Sequence, residues 1–200
     1  NSAFMELNDN IFRANDIRGI AFEELTEEVV FALGKALGTE SINRKQGDFI
    51  IGRDGRVSSP KLFEWVSEGV LSAGCNVINI GVVPSPVFYH STFNLDSSSG
   101  VVITGSHNPA DYNGFKILFN NNSTSSEEIQ SIKKRVKEQD FLSGKGNTES
   151  LDVVGSYVEE VISNIKLKCP LNISIDCGNG AAGVVAERIY KSLGCQVQGL

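Results

Sequence analysis

No apolar run in this chain comes near the eighteen or so residues that a membrane-spanning helix needs; the runs are short, such as Val101-Val102-Ile103. Cysteine is sparse and unpatterned. Cys75, Cys169, Cys177 and Cys195 include no Cys-x-x-Cys pair, and only two histidines, His90 and His107, could join them, which argues against a structural zinc site. The four thiols sit in apolar stretches and read as buried free cysteines of a reducing compartment, so the expected location is the cytoplasm. Positive charge is also short. With 18 Lys and Arg against 24 Asp and Glu the net charge is -6, whereas a general nucleic-acid binder needs many cationic phosphate contacts. Any phosphate is therefore handled locally. No basic stretch followed by an apolar one opens the chain, so no secretory signal is legible, and residues 1–4 before Met5 read as an expression remnant.

What is present is the material of a globular protein: 200 residues, 40% hydrophobic and 21% charged, enough for one domain and part of a second. Leu25, Val29, Val30, Leu33 and Leu37 recur at helical spacing between Phe22 and Leu37, with Thr26 or an earlier residue as cap. Asp48-Phe49-Ile50-Ile51-Gly52 reads as a buried strand ending in the charged turn Arg53-Asp54-Gly55-Arg56. Ser58-Ser59-Pro60 follows, a hydroxyl cap before a proline suited to the first helical position, and Leu62, Val66 and Val70 line one face up to Gly74. Further strands are expected at 76–80, 100–104 and 114–119, with a short helix from Val83-Pro84-Ser85-Pro86 through Phe93 and a charged helix over 125–137.

Strands alternating with helices predict an α/β fold, three layers deep, with a mixed, mostly parallel sheet and the functional residues at carboxyl ends of strands. Between Gln139 and Thr148 the composition turns to Ser, Gly, Lys and Asn, which reads as a linker. A first domain over 5–140 and the truncated start of a similar α/β domain over 150–200 are therefore expected. The second would hold a helix over 153–165, a strand over 171–176, a turn at Cys177-Gly178-Asn179-Gly180, another helix to Leu193 and a strand from Cys195. That glycine turn reads as a plain tight turn, with an anion site at the following helix N-terminus as the alternative.

Chemistry concentrates at Thr104-Gly105-Ser106-His107-Asn108-Pro109, directly after the third of these strands. Small residues at 104 and 105 let the backbone turn sharply and approach a ligand, which makes Ser106 a candidate nucleophile or phosphate carrier. The segment lacks the second glycine of the Gly-x-Ser-x-Gly elbow, so a serine hydrolase is disfavoured.

This segment resembles the phosphoserine loop of the α-D-phosphohexomutases, the phosphomannomutase and phosphoglucomutase family. Four further stretches agree in order: Phe12-Arg13-Ala14-Asn15-Asp16-Ile17-Arg18-Gly19, Gly52-Arg53-Asp54-Gly55-Arg56, Asn113-Gly114-Phe115-Lys116 and Asp176-Cys177-Gly178-Asn179-Gly180. The first favours the phosphomannomutase/phosphoglucomutase branch over phosphoglucosamine mutases.

The resemblance implies an enzyme that interconverts hexose 1-phosphate and hexose 6-phosphate, of mannose or glucose or both, through a phosphoserine at Ser106 and a hexose 1,6-bisphosphate intermediate. It implies Mg2+, held by the phosphate on Ser106 and by carboxylates of an Asp-rich loop beyond residue 200. The implied partners are small hexose phosphates, without nucleic acid or membrane; the oligomeric state stays open. Arg18 and Lys116 are carried over as charge-stabilising groups, against the readings of a surface ion pair and a solvated edge lysine. His107 either positions the phosphate or the transferred proton, or serves loop hydrogen bonding. Asn108 fixes the loop, and Arg53, Asp54 and Arg56 read as an ion-pair network bracing it. The family commonly has tyrosine where this chain has Asn15. The competing readings are a serine-dependent phosphatase and a non-enzymatic sugar-phosphate-binding or regulatory module.

Overall fold

The computed structural model describes residues 5–200; the residues read above as an expression remnant lie outside them. The elements in chain order are β1 (Ile17–Ile20), α1 (Glu27–Asn43), β2 (Phe49–Arg53), α2 (Ser59–Ser72), β3 (Val77–Val82), α3 (Ser85–Asn94), β4 (Ser99–Ile103), β5 (Tyr112–Phe119), β6 (Asn122–Ser123) and α4 (Ser126–Glu138). Then come β7 (Thr148–Ser150), α5 (Val154–Asn164), β8 (Asn172–Ile175), α6 (Ala186–Ser192) and β9 (Gln196–Gly199), with 3-10 turns at Asp9–Ile11 and Ala181–Val184.

The main sheet runs β1-β5-β4-β2-β3-β7, with the two-residue β6 folded back on β5. Strands β4, β2, β3 and β7 are parallel, and β5 runs against its neighbours β4 and β1. Side chains alternate across each strand with period two, so Phe49 and Ile51 of β2 join α1, α2 and α4 on one face while Ile50 joins the other. On that second face Ile80, Val102 and Leu118 pack with Val87 and Phe88 of α3 and with Val153 and Val158 at α5. Two buried clusters on one sheet make the three α/β/α layers. Where α3 meets α5, His90 Nε2 lies 2.6 Å from Glu160 Oε2, with Tyr157 edge-on to the imidazole. The last strands, β8 and β9, form a separate parallel pair.

Several boundaries differ from the sequence reading. Helix α1 begins at Glu27, where Thr26 Oγ1 accepts the Val29 amide; residues 22–24 turn instead, between the bridged Ala21 and Leu25, with Phe22 at φ 68°. Ser58 does not cap α2 through its hydroxyl, and Pro60 stands at the second helical position. The single helix expected after Gly180 divides, because tight bonds from Gly183 N to Gly180 O and Val185 N to Ala182 O make its first turn 3-10. Neither β1 nor β7 was foreseen.

The stretch read as a linker is pinned rather than loose. Leu142 N donates to Thr39 Oγ1, Gly144 N to Ser72 O and Gly146 N to Leu71 O, after which β7 pairs with β3. Of the four free cysteines only Cys75 and Cys195 are buried, and Cys169 is exposed, against the expectation for all four. Burial pushes the Cys75 thiol up to about 11, with a bond to Ser41 opposing the shift.

Helices α1 and α2 approach through glycine. A Cβ on Gly69 would overlap the Phe31 carbonyl oxygen and crowd the Gly34 Cα. Alanine raises helix propensity by about 1 kcal/mol, but overlap with backbone has no rotamer escape and costs about 1–3 kcal/mol or more. Gly69→Ala is therefore expected to lower the midpoint of thermal unfolding by several degrees, read by circular dichroism; an unchanged or raised midpoint would contradict this packing.

Candidate active site

The serine loop leaves the carboxyl end of β4 and re-enters the sheet as β5. Its two ends are stitched to the sheet: Asp54 N donates to Ile103 O at 2.8 Å and Thr104 N to Gly114 O at 3.0 Å. Within the loop Ser106 N donates to Thr104 Oγ1, and Asn108 donates to Gly105 O from both its amide and its side chain. Ser106 itself has φ 52°, a left-handed conformation uncommon outside glycine, and its side chain is exposed. Its Oγ lies 3.2 Å from His107 Nδ1.

Under the loop sits a polar bracket. Asp54 Oδ2 accepts the Gly105 amide at 3.1 Å, while Oδ1 accepts the Arg56 amide at 3.0 Å and the Ser59 hydroxyl at 2.5 Å. The Arg56 guanidinium donates to four carbonyls, those of Pro109 (2.6 Å) and Tyr112 (2.9 Å) through Nη1 and those of Asn108 (2.7 Å) and Ser106 (3.2 Å) through Nη2. Its Nε stands 3.6 Å from Asp54. Gly105 lies against the same guanidinium, so closely that a Cβ there would fall inside it.

Asn113, fully buried on β5, extends the bracket by donating to the hydroxyls of Ser58 and Ser59. The sequence assigns Asn113 no task of its own; an amide beside Gly114 in a strand of apolar residues is the one signal it offers. Thr104 and Ser59 were missed too, because short hydroxyls acquire a role only once their acceptors are in place.

Arg53 does not belong to this network, against the expectation. As the last residue of β2 it projects opposite to its neighbour Gly52, over the Phe63 ring at 5.4 Å, and its buried Nε has no partner among the described residues. Asp54 and Arg56 brace the loop without it.

Two clefts meet at the loop. One, of about 670 Å³, has Asp54, Arg56, Ser106 and Asn108 on one side and Asn179 and Gly180 on the other. The second, of about 620 Å³, is lined by Arg13, Asn15, Asp16, Arg18, Asn108 and Tyr112. Ser106 lines the first, Arg18 the second, and Asn108 both. Arg18 is half-buried and pairs with Asp16 at 2.6 Å, so the ion-pair reading and the cleft reading both describe it. Tyr112 gives an aromatic wall to the cleft in which Asn15 stands. Lys116 is half-buried opposite Val102, on the sheet face that also carries Arg18 and Gly114, and lines neither cleft. The glycine turn across from Ser106 is a tight turn held by Asp176 Oδ1 accepting Gly178 N and by Gly180 N donating to Cys177 O.

The arrangement defines an α/β/α domain whose sheet end presents one exposed serine hydroxyl on a rigid loop. Residues 9–143 match the family model described as phosphoglucomutase/phosphomannomutase, alpha/beta/alpha domain I, and the chain belongs to that family. It is 42% identical over 188 residues to a phosphomannomutase/phosphoglucomutase of Pseudomonas aeruginosa, covering 94% of this chain and 41% of that protein. A phosphoglucomutase of Neisseria gonorrhoeae is 38% identical over 190 residues, with 94% and 41% covered. The crystal structure of a phosphoglucomutase/phosphomannomutase family protein from Burkholderia thailandensis superposes with TM-score 0.91 at 36% identity, over 98% of this chain and 44% of that one. The chain thus spans less than half the length of these relatives.

Proposed function

We propose that this chain is the phosphoryl-carrying part of a phosphohexomutase acting on hexose 1- and 6-phosphates, with residues 5–140 as the serine-loop domain and 150–200 as the opening of the next. The observation that carries this reading is Ser106, exposed in a cleft on a loop whose peptides on either side of the serine are hydrogen-bonded, in a chain of this family. Ser106 holds the phosphoryl group as a phosphoserine and passes it to a sugar hydroxyl, giving the 1,6-bisphosphate; the sugar's other phosphate then returns to Ser106. His107 moves the proton in each half-reaction on this reading, which its 3.2 Å contact with the Ser106 Oγ supports.

Magnesium is part of the reading, and this chain's donors fit it only in part. A phosphate on Ser106 supplies one oxygen; the Asp54 carboxylate is already taken by three donors, and no group of three His, Cys, Asp or Glu able to hold a metal occurs among the described residues. Other ligands must come from outside the chain. Bound there, it would offset charge on the transferring phosphoryl. The free thiols favour the cytoplasm.

The test is to incubate the full-length protein with a hexose 1,6-bisphosphate and map phosphate by peptide mass. One phosphate at Ser106 is expected; phosphate only at other serines would overturn the carrier. Arg18 and Lys116 are proposed to stabilise charge as the phosphoryl group moves. Neutralising either should lower kcat by roughly a hundredfold with a smaller change in KM. A loss confined to KM would make them ground-state anchors.

A further inference from the structure

The carrier reading leaves Arg56 without a catalytic part, although it makes more hydrogen bonds to the serine loop than any other side chain. Its four acceptors are all backbone carbonyls, running from Ser106 through Asn108 and Pro109 to Tyr112 at the head of β5. A planar guanidinium with five donors in a fixed fork can serve four acceptors and still face Asp54; an ammonium cannot span them.

The loop it holds contains a left-handed L-residue. Ser106 at φ 52° would relax toward ordinary backbone unless the peptides on both sides were fixed. They are. On the near side Ser106 N donates to Thr104 Oγ1 and Gly105 O accepts from the Asn108 side chain, with Asp54 taking the Gly105 amide one peptide further back; on the far side Arg56 takes the Ser106 carbonyl. Gly105 completes the device, since any side chain there would expel the guanidinium. Arg56 also balances the charge of Asp54, which would otherwise face a phosphorylated serine as an unpaired anion.

We propose that Arg56 is the positioning residue of the carrier: by holding the carbonyls of Ser106, Asn108, Pro109 and Tyr112 it imposes the left-handed backbone that presents the Ser106 hydroxyl to the cleft. The inference rests on the reading of Ser106 as carrier, and its test separates the two. Full-length wild type and the variants Arg56→Ala, Arg56→Lys, Gly105→Ala and Arg56→Ala/Gly105→Ala are compared by steady-state kinetics with glucose 1-phosphate and by hydrogen exchange of a peptide covering 104–112.

Misplacing a reacting group by about an ångström can cost about a hundredfold, so kcat should fall by that order in Arg56→Ala and in Gly105→Ala, with KM within about threefold. The double variant should be no worse than the poorer single, because both changes remove the same contact. Exchange in the loop peptide should accelerate while exchange elsewhere does not, and lysine should restore little. If Arg56→Ala does not fold, Gly105→Ala and Arg56→Lys decide. Near-wild-type kcat, unchanged loop exchange, multiplying losses in the double variant, or full rescue by lysine would each overturn the proposal. Absence of phosphate at Ser106 in wild type would instead remove the carrier reading, leaving loop exchange to report on the hold itself.

Discussion

Ser106→Ala in the full-length protein is expected to lose turnover by a thousandfold or more, the order seen when a covalent nucleophile is removed. The loss should appear in kcat, since the sugar phosphate binds through groups the substitution leaves alone. Phosphate incorporation from a hexose 1,6-bisphosphate should vanish in the same variant. Structure should be spared, because the Ser106 hydroxyl is exposed and its one contact is with exposed His107, while the loop is held by backbone bonds to Thr104, Asp54 and Arg56. A folded Ser106→Ala protein with turnover near wild type would eliminate the phosphoserine mechanism.

The 200-residue chain alone is expected to show no mutase turnover, below about 1% of the full-length rate, even with magnesium present. Phosphoryl transfer is catalysed almost wholly by positioning and charge stabilisation around the moving group. Here the cleft beside Ser106 has one wall of serine loop and Asp54–Arg56 bracket and another of the turn at Asn179, and the chain spans 41% of the length of the Pseudomonas aeruginosa relative. The exposed apolar side chains of the last segment, Leu171, Val184, Tyr190 and Leu200, leave that part without a closed core of its own. Assay of the purified chain beside the full-length protein, with glucose 1-phosphate and mannose 1-phosphate, decides the matter. Turnover by the chain at an appreciable fraction of the full rate would show that it holds the whole catalytic apparatus.

How legible the molecule was depended on whether a residue's partners lie near it in the chain. The buried strands β2, β3, β4 and β5 announce themselves as short apolar runs, and α4 carries its capping box in consecutive letters, Ser125 to Glu128. Strand β1, four residues with Arg18 and Gly19 inside, has too little pattern to show, and β7 is exposed at every position. Both exist because a neighbouring strand, β5 or β3, offers its unpaired edge. The stretch over 139–148 has a linker's composition, but its backbone amides find acceptors on α1 and α2 that no local reading can supply.

The sequence by itself determined the layered α/β class, the family, and the serine around which the chemistry is proposed, because alternation of apolar residues and the order of short motifs are properties of the letters alone. Only the tertiary structure decided which of the two arginines flanking Asp54 serves the serine loop. Arg53, still within β2, follows the strand's alternation to the Phe63 face; Arg56, beyond the turn, reaches four carbonyls that lie 50, 52, 53 and 56 residues on along the chain. A guanidinium has the same charge and donors in either place, and what it does is set by the acceptors that folding brings within hydrogen-bonding distance.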